Sequence, residues 1–97
     1  MNEEDERKTR YAEPGAGVHS RVFGDEVMLL DLESGQYFSL NPVGTRMWTC
    51  LAEGKSPAEV ANDLQSEYDI EPHVLLKDCV ALAEELLRRG LLKLRRE

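Results

Sequence analysis

Apolar and polar positions alternate from Val18 to Phe23, and the pair Gly24-Asp25 follows as a turn. The segment Glu26–Leu32 then places Val27, Met28, Leu29 and Leu30 on consecutive positions, the pattern of a central strand covered on both sides. Glu33-Ser34-Gly35 is a second turn, and Gln36–Leu40 reads as a short strand rich in aromatic residues. Connections this short predict a three-stranded antiparallel meander.

At Asn41 the period becomes helical. Asn41-Pro42 supplies an N-cap and a proline at the first helical position, and Val43, Met47, Trp48 and Leu51 recur at helix spacing up to Gly54. Ser56-Pro57-Ala58-Glu59 is a capping box that opens a second helix, with Val60, Ala61, Leu64 and Tyr68 as its inner stripe. Pro72 opens a third helix predicted to reach Arg89, with Gly90 just beyond its end. Leu91-Leu92 is expected to fold back onto the core. The order βββααα is an α+β arrangement, and three helices with a small sheet suggest a winged helix-turn-helix layout. Residues 1–17 are charged and then broken by Pro14, Gly15 and Gly17, which reads as a disordered tail before a domain at 18–94.

Two features stand out from this framework. The strand Gln36–Leu40 comes last in the meander and so falls at a sheet edge, with no Pro or Lys to blunt it. An edge of that kind suits strand addition by an extended peptide. The third helix carries two apolar stripes. Leu75, Cys79, Leu82 and Leu86 form one, which packing on a single core explains. Leu76, Val80, Ala83 and Leu87 form another, free to line a groove or a dimer face.

Composition narrows the function classes. Ninety-seven residues make one domain at most, too small for a deep catalytic cleft. No phosphate-binding glycine loop, HExxH pattern or nucleophile with an evident base occurs, so no catalytic role is expected. Cys50 and Cys79 lie alone within apolar runs and read as small buried hydrophobes, so no metal or cofactor is expected. Net charge is −7, and the span 11–87 holds fourteen acids against four bases. Nucleic acid is therefore a poor partner, because duplex binding rests on neutralising phosphates. The candidate recognition helix Ser56–Tyr68 has no Lys or Arg and carries Glu59, Asp63 and Glu67, which argues against a DNA-binding winged helix. The basic run Arg88, Arg89, Lys93, Arg95 and Arg96 reads as cations at a helix C-terminus. No apolar stretch is long enough to span a membrane, and the acidic N-terminus lacks a signal-peptide core, so a cytoplasmic protein without membrane partners is expected.

The run Asp31-Leu32-Glu33-Ser34-Gly35-Gln36-Tyr37-Phe38-Ser39-Leu40-Asn41-Pro42-Val43-Gly44, then Met47-Trp48, the Ser56-Pro57 helix and the ending Leu86-Leu87-Arg88-Arg89-Gly90-Leu91-Leu92, resembles the PqqD-like family over residues 18–93. The resemblance implies a recognition element for the precursors of ribosomally made, post-translationally modified peptides. Such a domain binds the leader segment of its precursor as an extra strand, antiparallel to its third strand and in the groove beside its third helix. Carried onto this chain, the wall is Gln36, Tyr37, Phe38, Ser39 and Leu40, and the floor is Leu76, Val80, Ala83 and Leu87. The Asn-Pro-Val-Gly joint and short length are most similar to the freestanding lasso-peptide members. Those imply a separate leader peptidase and macrocyclising enzyme as partners, the chain itself being a monomer or weak dimer. Members that serve pyrroloquinoline quinone synthesis are the alternative. Tyr11-Ala12-Glu13-Pro14 also resembles the Tyr-x-x-Pro spacing of lasso leaders, so the tail could itself enter the groove.

Overall fold

The computed structural model describes residues 11–95. Its elements are β1 (Ala12–Pro14), β2 (Val18–Phe23), β3 (Glu26–Asp31), β4 (Tyr37–Leu40), α1 (Pro42–Ala52), α2 (Pro57–Leu64), α3 (Pro72–Arg88) and β5 (Leu92–Leu94). Strands β2, β3 and β4 form the expected antiparallel meander, with β3 in the centre. The β2–β3 hairpin pairs Phe23 with Glu26 around Gly24-Asp25, and Gly24 takes φ +64°. Asp25 stays at negative φ, so the turn is the type that needs glycine at its first central position only. The next turn is held by Asp31, whose carboxylate accepts from the Glu33 amide at 3.0 Å and the Ser34 hydroxyl at 3.1 Å.

Helices α1 and α2 start where their caps say. Asn41 accepts from the Gly44 amide at 2.7 Å, and Ser56 and Glu59 complete a reciprocal capping box. At the end of α3, Leu91 N donates to Leu86 O at 2.9 Å and Gly90 N to Leu87 O at 3.1 Å, the paired bonds of a Schellman stop. That turn sends Leu91 and Leu92 back into the core, where both are buried. The core gathers Val27 and Leu29 from one face of β3, Met47, Trp48 and Leu51 from α1, Val60 and Leu64 from α2, and Leu75, Cys79 and Leu86 from α3. Both cysteines are free and buried; burial pushes the Cys79 thiol up to about 12 and Cys50 upward as well. A thiol held protonated behaves as a small hydrophobe.

One boundary differs from expectation. Order starts at least as early as Tyr11 and not at Val18, because β1 pairs with β5 in a separate two-stranded sheet, Ala12 opposite Leu94 and Pro14 opposite Leu92. Ala12 is fully buried, and the Tyr11 amide donates to Gly54 O at 2.7 Å. Gly15, which looked like a breaker, is needed for close packing: a Cβ there would stand 2.3 Å from Gly90 O. A three-residue strand whose partner lies some eighty positions away leaves no local period to read. The Tyr11-x-x-Pro14 match thus runs into this sheet, with Ala12, Glu13 and Pro14 as its paired residues. The remainder of the acidic N-terminal run, residues 1–10, and Arg96 lie outside the described residues. Lys93 and Arg95 both reach Glu13 across the β1–β5 pair, at 3.7 and 3.0 Å, a role that the helix-terminus reading did not give them.

Candidate peptide-binding groove

Strand β4 is an edge of the three-stranded sheet. Its polarity follows from one hydrogen bond: Asp31 N donates to Gln36 O at 2.9 Å, so residues 31 and 36 are a bonded pair. Phe38 opposite Leu29 and Leu40 opposite Val27 share that phase. In an antiparallel ladder the intervening residues turn their amides and carbonyls the other way. Tyr37 and Ser39 therefore present two N–H and two C=O groups outward along the free edge. Their side chains lie on the outer face of the sheet, and those of Phe38 and Leu40 turn toward the helices. Gln36, expected as the first strand residue, lies just before β4 and closes the turn.

Beside this edge is an open hollow of about 440 Å³ lined by Phe38, Leu40, Met47, Ile70, Asp78 and Leu82, among others. The backbone joint at Asn41 builds one end of it, since the cap that starts α1 also fixes where Val43 and Met47 stand. Further along α3, the Arg89 guanidinium lies 4.9 Å from the centre of the Phe38 ring. Glu85 accepts from Arg89 at 2.6 Å and also from Arg88. The Arg89 hydrogen bond, with both guanidinium charges, holds the Glu85 carboxyl below its ordinary range.

The expected wall stands at the hollow: Phe38, Ser39 and Leu40 line it. The expected floor does not. At 100° per residue, Leu76 and Val80 fall on one side of the buried line Leu75–Cys79–Leu86, and Asp78, Leu82 and Arg89 fall on the other. Leu76 lines a different hollow, with Ala58, Ala61 and Gln65 of the α2 region. Val80 is 36% exposed and lines neither hollow. Ala83 is fully buried in the core, and Leu87 is partly buried against it. Leu82, assigned from the sequence to the core stripe, is partly buried against the core and also lines the hollow beside β4. The physical reason is simple. Two apolar stripes say that the buried arc of a helix is wide, but not on which side the sheet lies.

Sequence reasoning also missed Ile70 and Asp78. Ile70 follows the second helix outside its period, and Asp78 looks like any solvated acid. Among the described residues no group of three or more His, Cys, Asp and Glu side chains could hold a metal ion. No helix there is long and apolar enough to cross a membrane.

A strand edge beside a groove on a small α+β scaffold is the site of a peptide-binding module in its general form. Residues 26–92 match the family model for coenzyme PQQ synthesis protein D, and the chain belongs to the PqqD family. Two solved structures are similar over nearly their whole lengths. One is TbiB1 in complex with the TbiA(beta) leader peptide, at 33% identity and a TM-score of 0.78, covering 88% of this chain and 99% of that one. The other is a lasso peptide synthetase B1 complexed with the leader peptide, at 30% identity and a TM-score of 0.77, covering 84% and 96%. No curated protein matches the sequence.

Proposed function

We propose that this chain binds the leader of a ribosomally made precursor peptide as an added strand on β4 and presents it to a separate leader peptidase and macrocyclising enzyme in lasso-peptide biosynthesis. The observation that carries this reading is the open β4 edge beside an apolar hollow, in a fold that superposes on two leader-bound proteins. In this reading the leader's backbone meets Tyr37 and Ser39, and its inward side chains meet Phe38, Leu40, Ile70 and Leu82. The chain acts by binding and positioning, as a monomer or weak dimer, in the cytoplasm where a ribosomal product first appears. A second role, holding the precursor of pyrroloquinoline quinone, draws support from the name of the family model alone. DNA binding draws none: Lys55 is paired with Asp63 and Arg46 with Glu67, which neutralises the cations nearest α2.

Energetics require more than the edge. Four main-chain hydrogen bonds contribute about 0.5–1.5 kcal/mol each, while ordering a flexible leader costs about 2–5 kcal/mol. These nearly cancel. One aromatic anchor hiding ~150–250 Å² contributes about 4–6 kcal/mol at roughly 25 cal/mol per Å². Net affinity therefore comes from one or two apolar leader residues seated in the hollow.

The test is amide hydrogen exchange with and without the synthetic leader of the cognate precursor. The Tyr37 and Ser39 amides are expected to become strongly protected, with the β2 edge unchanged. Protection confined to another surface, or none, would overturn the reading.

A further inference from the structure

The charged side chains beside β4 bear on which way a leader lies there and which sequences it favours. Among the described residues, Asp78 is the sole charged side chain on the hollow that runs from Phe38 past Leu40 to Asn41 and Gly44, and Arg89 does not line it. Asp78 forms no ion pair among the described residues. Arg89, eleven positions later, lies over Phe38. One carboxylate, Glu85, bonds both Arg88 and Arg89, so the two guanidinium groups share a single partner there. The groove thus has an anionic end and a cationic end. The helix rise of ~1.5 Å per residue sets the two positions about 16 Å apart along the axis, and the strand rise of ~3.3 Å puts Phe38 and Leu40 about 7 Å apart. The charges therefore span roughly two to five residues of an extended peptide.

We propose that Asp78 and Arg89 select the charge pattern and direction of the leader: a Lys or Arg against Asp78, then an Asp or Glu two to five residues later against Arg89. This deepens the strand-addition reading and rests on it. The order follows from the run of β4 toward Asp78. A strand added antiparallel, the more stable pairing, meets Asp78 with its N-terminal part. The same peptide laid parallel would set its cation against Arg89 and its acid against Asp78. Both mismatches repel, so the wrong direction is disfavoured twice. Exposed ion pairs are modest, and each is expected to change affinity about two- to fivefold.

The test is selection of peptides from a displayed library of random 16-residue sequences. The baits are the full chain and its Asp78→Lys and Arg89→Glu variants, each checked by circular dichroism. The parent chain is expected to enrich a basic residue followed by an acidic one at that spacing. Asp78→Lys should turn the first position acidic, and Arg89→Glu should turn the second basic. One charge pattern from all three baits overturns the inference and leaves strand addition standing. No enrichment by the parent chain overturns strand addition itself. A synthetic parent-selected peptide with its two charges exchanged covers the case of a variant that does not fold. It should bind several-fold more weakly at low salt, with the gap closing near 1 M salt, where the screening length is ~3 Å. Equal affinity at low salt also overturns the inference.

Discussion

The two flanks of α3 differ in what they touch, although both border the same buried line. One flank turns Leu76 toward α2 and leaves Val80 36% exposed; it is apolar and has helix beside it. The other carries Asp78, Leu82 and Arg89 and has the free edge of β4 beside it. The more apolar flank is the natural choice from sequence, yet the mixed one borders the hollow beside β4. A surface that seats a flexible peptide needs one desolvated contact and a few polar groups that fix orientation. A continuous greasy stripe on a small protein does a different task, that of filling space between helices.

This contrast can be broken at several points. The largest effect is expected from the line between the flanks. Leu86 is fully buried, and Leu86→Ala should cost about 2–5 kcal/mol of folding stability in urea unfolding. Next comes the groove flank. Leu82→Asp sets a charge in the hollow and should weaken leader binding by at least about 2 kcal/mol by calorimetry, with the helical circular dichroism signal kept. Loss of the fold would instead assign Leu82 to the core. Ser39→Pro removes one outward amide of β4 and no bond to β3. Edge strands tolerate proline there, so leader affinity should fall by about 1 kcal/mol while the melting temperature barely moves. The smallest effect is expected on the opposite flank: Leu76→Asp should change leader affinity by less than about 0.5 kcal/mol. A loss equal to that of Leu82→Asp would return the groove to the side favoured by the apolar stripes.

Much of the fold was legible because its signals are local. The Gly24-Asp25 turn, the Asn41 and Ser56 caps and the Gly90 stop each act within a few residues, and each sits where the sequence places it. The meander needed only short loops, so the edge position of Tyr37–Leu40 could be read as well. What escaped depends on contacts between distant segments. Strand β1 exists only because β5 returns beside it, and the choice between the two sides of α3 depends on how that helix is rotated against the sheet. Neither is encoded in a period. Asp78 and Ile70 carry no pattern of their own and became visible only when the hollow brought them together.

The small β1–β5 sheet has a mechanical consequence. Ala12 faces Leu94 and Pro14 faces Leu92, so residues 11 and 95 emerge at the same end of the ladder. Tension between those two points loads the pairs one after another, as in a zipper, and not all at once, as in shear. The clasp should open at low force, three pairs in sequence, while β2–β4 and the helices lie off the line of pull. Under load the molecule behaves as a compact bead on a short, releasable tether.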